Sequence, residues 1–416
     1  MSTGEYERGQ QEVGKAANPT VTDGPKNTTD ELGAMPGTAG RGSAAAAAER
    51  TWGGGRGGGP TGGGRRGGGR RKKGRAEEMM VPDATFTSYY GRPVVKAAPW
   101  EAAIPFYLFM GGLAGGSSLL GAGADLSGRP TLRRAARIGA TGAISASLIA
   151  LVYDLGRPTR FVNMLRVFKP TSPMSVGTWV ITAYAPGNVI AGAAEIAKLL
   201  PLAQILPARL RFLTTLLDFA ARPGGIAAAL LAPGVASYTA VLLTDTSTPA
   251  WHDAHRELPF VFVGSAAAAS GGFGMLMAPL SETGPARRLA VAGAITELVV
   301  EHRMEQSMGL SAEALHHGTP GKLMRASKIL TAVGAAGALL LGGRSRVAAA
   351  ASGLLLMAGS ACTRFGVFEA GIESAHDPKY TVVPQRERLN RRRAAEAAAR
   401  ADATEPDPDA QPDQEI

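Results

Sequence analysis

Long apolar segments limit what this chain can fold into more than any other feature of its sequence. Eight segments of about 20 residues follow one another between residues 100 and 370. A helix needs about 20 apolar residues to cross the roughly 30 Å hydrocarbon layer of a membrane. The segments lie near residues 100–124, 135–155, 176–199, 224–245, 259–280, 286–303, 324–342 and 346–370. We therefore predict an all-α polytopic integral membrane protein, with about eight transmembrane helices in two four-helix bundles.

Composition separates two polar tails from this apolar middle. Residues 1–79 are rich in Gly, Ala and Thr and contain almost no large apolar residues to bury. We predict a disordered Gly/Arg-rich tail over 1–79, a transmembrane domain over 80–374 and a second disordered tail over 375–416. Arginines alternate with glycines in the first tail, but aromatic residues for base stacking are nearly absent there. We favour a polybasic tail facing lipid over an RGG-type segment, and expect no nucleic-acid partner.

Redox metals need ligands that this sequence does not supply. Cys362 is the one cysteine of the chain, whereas an iron–sulfur cluster is normally held by four thiolates. A b-type haem inside a membrane is held by paired axial ligands on its helices, and only His302 lies in or near a predicted helix. The remaining histidines fall in predicted loops or tails: His252, His255, His316, His317 and His376. We expect no haem, no iron–sulfur cluster and no other metal on this chain.

Polar residues gather at the ends of the predicted helices that face residues 1–99, which we call the tail side. If successive helices alternate in direction, Tyr107, Asp154 and Tyr238 all lie there. Ionisable groups inside a bilayer are costly and mark a site or a pathway. In an apolar cavity the Tyr238 hydroxyl can donate a hydrogen bond to a carbonyl group of a ligand. The alternative is a tyrosine that only reaches toward the membrane interface.

Two carboxylates interrupt the sixth apolar segment. Glu297 and Glu301 are one helical turn apart and therefore share one face of a helix. As a pair they can relay protons to or from a bound ligand. The alternative is an ion pair with Arg364, which would neutralise one of the two charges inside the bundle.

The segment between the second and third apolar segments is unusually cationic and aromatic. Phe161, Leu165 and Phe168 recur at about helical spacing, which predicts a short amphipathic helix on the membrane surface. Four cations surround them: Arg157, Arg160, Arg166 and Lys169. These cations either form an interface for a partner protein or bind lipid phosphates. We favour the partner interface.

Four stretches resemble the NrfD (polysulfide reductase membrane subunit) family. They are IPFYLFMGGLAGGSSLL (104–120), DLGRPTRFVNMLRVFKPTSPMSVGTW (154–179), SYTAVLLTDTSTPAWHDAHRELPFVFVGSAAAASGG (237–272) and TRFGVFEAG (363–371). The resemblance implies a quinone-binding membrane anchor of a molybdopterin and iron–sulfur oxidoreductase. It also implies that Tyr238 is a quinone ligand. The Asn and His that the polysulfide reductase branch uses early in the first helix align with Ala103 and Tyr107, so Tyr107 is the candidate replacement for the His.

The resulting functional hypothesis is a subunit of a respiratory complex in the plasma (inner) membrane. It would exchange electrons between menaquinone or ubiquinone and a ferredoxin-like iron–sulfur subunit. That iron–sulfur subunit would in turn exchange electrons with a molybdopterin catalytic subunit of polysulfide reductase or formate dehydrogenase type. The arginine-rich tail favours cytoplasmic termini, although arginines in the short loops point the other way. Alternatives are a passive anchor and a secondary transporter with a midplane site, for which Pro186 and Pro233 within helices are suggestive.

Overall fold

The computed structural model describes residues 93–200, 207 and 211–404, and these residues form helices and connecting turns without a β-strand. The α-helices of the described part are α1 (Ala103–Leu126), α2 (Pro130–Asp154), α3 (Phe161–Met164), α4 (Pro173–Leu199), α5 (Arg211–Thr244), α6 (Pro249–Asp253), α7 (Leu258–Met277), α8 (Gly284–Ser307), α9 (Gly318–Leu340), α10 (Arg346–His376) and α11 (Lys379–Thr404). Two 3₁₀-helices span Pro158–Arg160 and Gly309–Leu315. The predictions for residues 1–79 and 405–416 lie outside the described residues.

Eight long helices occupy the eight predicted apolar segments, which confirms the all-α class. Six of them are long and apolar enough to cross a membrane: α1, α2, α5, α7, α9 and α10. The other two, α4 and α8, bury polar side chains inside the bundles, among them Asn188, Glu195, Glu297 and Glu301. Because those side chains lower the mean hydropathy of α4 and α8, the predicted count of eight membrane spans is not confirmed. The prediction of a multi-pass membrane protein is confirmed.

The long helices form two four-helix bundles with the same order of neighbours. In the first bundle, α1 and α4 each pack against α2 and α5. In the second, α7 and α9 each pack against α8 and α10. The bundles meet mainly where α7 packs against α1 and α5.

Small residues bring the helix backbones close together at this junction. A β-carbon on Gly115 of α1 would lie 2.9 Å from the Ala232 carbonyl oxygen of α5. One on Gly116 would lie 2.8 Å from the Ala266 carbonyl oxygen of α7. Close approach of this kind is how helices associate in lipid. The glycine run at 111–118 therefore serves helix packing rather than phosphate binding.

Two helices differ from what the sequence predicts. The fourth apolar segment is predicted near residues 224–245, but α5 begins earlier, at Arg211, and continues through Pro223 and Pro233 to Thr244. Prolines are tolerated in membrane helices because neighbouring groups satisfy the freed backbone. Here the α5 backbone at Gly224 packs against Gly187 of α4, where a β-carbon would lie 2.6 Å from the Gly224 carbonyl oxygen.

The other difference is α11, which forms where the sequence predicts a disordered tail from residue 375. Ala and Arg dominate Lys379–Thr404, and both are strong helix formers. The first turn is also anchored: Tyr380 is buried, and Lys379 Nζ donates to Glu313 Oε2 at 2.7 Å. The low apolar content of this segment therefore did not exclude a helix.

Candidate functional site

A cavity of about 210 Å³ lies at the tail-side end of the first bundle. The first turns of α1 and α4, the last turns of α2 and α5, and the short helix α3 enclose it. Its walls are mainly apolar, with Ile104, Leu108, Leu148, Leu151, Ile181, Leu242 and Leu243 among the lining residues. Helices that alternate in direction bring these distant parts of the chain to one end of the bundle.

The three residues predicted to bind a quinone all line this cavity. Tyr107 comes from α1, Asp154 from the end of α2 and Tyr238 from α5. Tyr107 is only 3% exposed. Within the described part of the chain, neither tyrosine hydroxyl hydrogen-bonds to another residue. Thr178 adds a fourth polar group, although its hydroxyl donates to the Met174 carbonyl oxygen at 2.9 Å.

Tyr238 is positioned by a glycine on the neighbouring helix. A β-carbon on Gly177 would lie 2.4 Å from Cδ2 and Cε2 of the Tyr238 ring. Only a residue without a side chain therefore lets the ring lie in this place against α4. The role of Gly177 was not apparent from sequence, because nothing in the chain indicates which ring it faces.

An aromatic stack connects the cavity with the second bundle. Trp100 lines the cavity and stacks on Trp251 of α6, with ring centroids 5.8 Å apart. Trp251 in turn donates from Nε1 to the Val367 carbonyl oxygen of α10 at 2.8 Å and packs against Phe368. Sequence analysis missed both tryptophans, since their contact joins residues 151 positions apart.

Glu297 and Glu301 do not line the cavity; they lie inside the second bundle. Both side chains are fully buried. Glu297 Oε1 accepts a hydrogen bond from Thr363 Oγ1 at 2.6 Å, while Glu301 Oε1 lies 3.7 Å from Lys328 Nζ. Lys328 also binds Glu305 at 2.7 Å, and Glu305 is near the surface. The two carboxylates thus continue a line of charged groups from the surface into the bundle.

Arg364 is the buried cation of the same bundle. It is 1% exposed, lies 3.6 Å above the centroid of the Phe262 ring and donates from Nη2 to the Phe262 carbonyl oxygen at 2.7 Å. Among the described residues it forms no salt bridge with a carboxylate, so the alternative of a direct ion pair with Glu297 or Glu301 is not observed. Its Nε and Nη1 atoms have no hydrogen-bond partner in that part of the chain.

The predicted cationic surface lies directly outside the cavity. Phe161 and Met164 of α3 line the cavity, whereas the four cations around them are exposed: Arg157, Arg160, Arg166 and Lys169. None of the four forms a salt bridge with another described residue. The helix itself is shorter than the aromatic spacing predicts, because α3 ends at Met164 rather than near Phe168.

The opposite end of the first bundle carries an ion-pair cluster. Glu195 of α4 is fully buried and binds Arg133 at 2.8 Å and Arg137 at 3.1 Å, both from α2. Asp125 at the end of α1 binds the same two arginines at 3.2 and 3.4 Å. Each cation is thus shared by two carboxylates. Arg222 of α5 also binds Asp125, at 3.4 Å, so the cluster joins four helices and has the character of a structural lock.

Residues 94–312 match the family model described as polysulphide reductase, NrfD. The matched region covers more than half of the 416-residue chain, from the residues before α1 into the second 3₁₀-helix. The chain belongs to the NrfD family. A search of curated proteins returned no match.

NrfD-family membership makes the protein a membrane subunit of a polysulfide reductase-like complex. The family is one of quinone-interacting membrane subunits that typically assemble with iron–sulfur and molybdopterin subunits. The matched range includes every residue of this NrfD-family chain that lines the cavity. It ends before α9, so the resemblance at residues 363–371 is not tested by it.

Proposed function

We propose that this NrfD-family subunit exchanges electrons between quinone and an iron–sulfur partner, with the quinone head group bound in the tyrosine-lined cavity. The main support is a pair of tyrosine hydroxyls, on Tyr107 and Tyr238, that face an apolar space without another described residue to bind. A tyrosine hydroxyl in an apolar space can donate a hydrogen bond to a ligand carbonyl. A cavity of about 150 Å³ holds benzene, so the 210 Å³ here suits a quinone ring.

Three polar residues of the cavity have a chemical role in this proposal. The reduction of a quinone takes up two electrons and two protons. Tyr107 and Tyr238 hold the carbonyl oxygens, and Asp154, close to Glu101 at the mouth of the cavity, exchanges protons with water. The single cysteine indicates that the electrons come from clusters on a partner subunit.

We place the iron–sulfur partner on the cationic surface of Arg157, Arg160, Arg166 and Lys169. These side chains are exposed and unpaired within the described residues, and they surround a helix that lines the cavity. An acidic patch on the partner would complement them. The partner in turn would receive electrons from, or deliver them to, a molybdopterin subunit of polysulfide reductase or formate dehydrogenase type.

Glu297 and Glu301 would carry protons through the second bundle. The support is the line from Glu305 through Lys328 to Glu301, followed by Glu297 one helical turn away. Buried carboxylates that keep oxygen atoms without hydrogen bonds are suited to taking up and passing on a proton. We also propose that both termini lie on the cytoplasmic side, because the arginine-rich tail precedes the first helix.

A secondary transporter is less well supported than quinone exchange. A transporter would bind its substrate near the middle of its helices. In the middle of α4, however, Tyr184 and Asn188 hydrogen-bond to each other at 2.8 Å and to Ser118 of α1. The space beside Ser118 and Asn188 is only about 10 Å³. That volume is suited to a water molecule rather than a transported solute.

The proposal is tested with Tyr107→Phe and Tyr238→Phe in the assembled complex. Each change removes one hydroxyl and keeps the ring. We expect the rate of quinone reduction or quinol oxidation to fall about tenfold, as the loss of one hydrogen bond worth about 1.4 kcal/mol implies. Tyr153→Phe is the matched control, because Tyr153 is 78% exposed and lies outside the cavity. Unchanged rates in both cavity variants would mean a passive anchor.

A further inference from the structure

A second opening adjoins the cavity on the side of α3. This groove, of about 200 Å³, is lined by Asn163, Val167 and Ser175 among others. It shares Met164, Met174 and Thr178 with the cavity. These three side chains therefore lie between the cavity and the groove.

A quinone in the membrane is larger than the cavity. A space of about 150 Å³ holds a single benzene ring, so 210 Å³ takes a ring head group and leaves no room for a long isoprenoid tail. A head group bound inside must therefore have a path for its tail to the lipid. The wall shared by cavity and groove is where the barrier between the two spaces is thinnest.

We propose that the isoprenoid tail leaves the cavity between Met164 and Met174 and lies in the adjoining groove. This inference rests on the proposed binding of a quinone head group in the cavity. Met164 belongs to α3 and Met174 to the first turn of α4, so the tail would pass between these two helices. The ligand class is thus a quinone with a long apolar tail.

Four polar and three apolar side chains line the groove, and exposed apolar side chains lie in and beside it. Val167, Phe168 and Met174 are 65%, 59% and 50% exposed, respectively, and lie next to one another in the fold. We assign this patch, which lies between the end of α3 and the first turn of α4, to the lipid boundary. A tail that leaves the groove would therefore enter hydrocarbon rather than water.

Methionine suits the position of a passage. Its unbranched side chain has three rotatable bonds and adapts its shape to what it contacts. Both methionines can thus move aside for a tail without a change in the backbone. A β-branched or aromatic residue would instead hold one shape and narrow the opening.

Few contacts hold the outer wall of the groove in place. Ser175 Oγ donates to the Val167 carbonyl oxygen at 3.1 Å and accepts from the Lys169 amide at 2.9 Å. The Trp179 ring packs edge-on against Phe168, with centroids 6.1 Å apart. Trp179 Nε1 also donates to the Val167 carbonyl oxygen at 3.4 Å. These contacts hold residues 167–169 against α4, and none of them involves the Met164 side chain.

The test compares long-tailed and tailless substrates in the assembled complex. Met164→Trp and Met174→Trp each place a bulky, rigid ring in the passage. Because Met164 and Met174 also line the cavity, the ratio of the two rates is the readout. We expect the rate of each variant with a long-tailed menaquinone to fall at least tenfold more than its rate with tailless naphthoquinone. Val162→Trp is the control, because Val162 is 62% exposed and lines neither the cavity nor the groove.

The outcomes separate this inference from the function on which it rests. If both variants keep the rates of the unmodified complex with both substrates, the tail leaves the cavity elsewhere. The proposal of quinone exchange would then still stand. Failure of the unmodified complex to use either quinone would end both proposals. If a variant lowers both rates, its melting temperature is compared with that of the unmodified complex. A variant that melts at a lower temperature is replaced by Met164→Phe. Equal losses in a variant that melts like the unmodified complex would overturn the tail path.

Discussion

The Tyr238 ring lies directly against the backbone of Gly177, so closely that a β-carbon there would come within 2.4 Å of two ring carbons. A hydroxyl-bearing ring of the candidate site is thus placed by the absence of a side chain on the next helix. Overpacking of this kind forces side chains off their preferred rotamers, at a cost of about 1–3 kcal/mol.

Gly177→Ala should therefore displace Tyr238 and lower quinone turnover about as much as Tyr238→Phe does. We also expect a lower melting temperature of the purified subunit. Gly142→Ala is the matched control, since a β-carbon at Gly142 of α2 would meet nothing within 4 Å. Alanine there should be neutral or stabilise the helix by up to about 1 kcal/mol. Normal turnover in Gly177→Ala would contradict the proposed role of Tyr238.

The ion-pair cluster at the far end of the first bundle should matter for stability alone. Glu195→Ala leaves Asp125 as the carboxylate partner of both Arg133 and Arg137. Removal of one partner of a buried pair costs up to about 3–5 kcal/mol, and the remaining Asp125 keeps the loss toward the lower end. We expect a clearly lower melting temperature, measured by thermal shift. Asp218→Ala is the comparison, because Asp218 pairs with Lys198 on the surface and such pairs contribute about 1 kcal/mol or less. Similar losses in the two variants would argue against a structural lock.

The second-bundle carboxylates give a kinetic prediction. If Glu301 passes protons, Glu301→Gln should lower kcat for quinone turnover at least tenfold and leave KM for quinone unchanged, because the residue does not touch the cavity. Glu313→Gln is the control, since Glu313 is partly exposed and binds Lys379 outside the bundle. A rise in KM without a change in kcat would place Glu301 at the quinone instead.

The cationic surface predicts salt-dependent assembly. Replacing Arg157, Arg160, Arg166 and Lys169 with alanine should weaken binding of the iron–sulfur partner most at low ionic strength, because salt screens charges on exposed surfaces. Arg344→Ala serves as the control, since Arg344 is exposed in the turn between α9 and α10. Binding that is equally weakened at 0.05 and 0.5 M salt would exclude an electrostatic interface.

The attachment of α11 should depend on alkaline pH. Burial lowers the pKa of Lys379, but its hydrogen bond to Glu313 and the nearby Tyr380 and Glu313 raise it by more, so the net pKa lies above 10.5. A raised pKa means that this contact stabilises the fold below the unfolded-state pKa and is lost as pH rises past the folded value. A spin label on Leu389 should become more mobile as pH rises past the folded-state pKa of Lys379, and Lys379→Met should abolish that change.

The positions of the helices could be predicted because each apolar run is long enough to cross hydrocarbon. Alternating helix direction was enough to predict that Tyr107, Asp154 and Tyr238 gather at one end. Side-to-side neighbours were beyond sequence reasoning: it did not show that Gly177 faces Tyr238, or that Trp100 meets Trp251. It also could not show that Glu297 and Glu301 belong to a different bundle from the cavity. Those relations depend on how the helices are rotated about their axes.

The close approach of α1 and α7 at Gly116 and Ala266 has a mechanical consequence. Where backbones touch with no side chain between them, one half of the molecule cannot tilt relative to the other without opening an empty gap in the interior. The two halves should therefore move as one body, unlike the rocking repeats of a carrier. Electron transfer to a quinone ring at one end of the molecule does not require one bundle to tilt against the other.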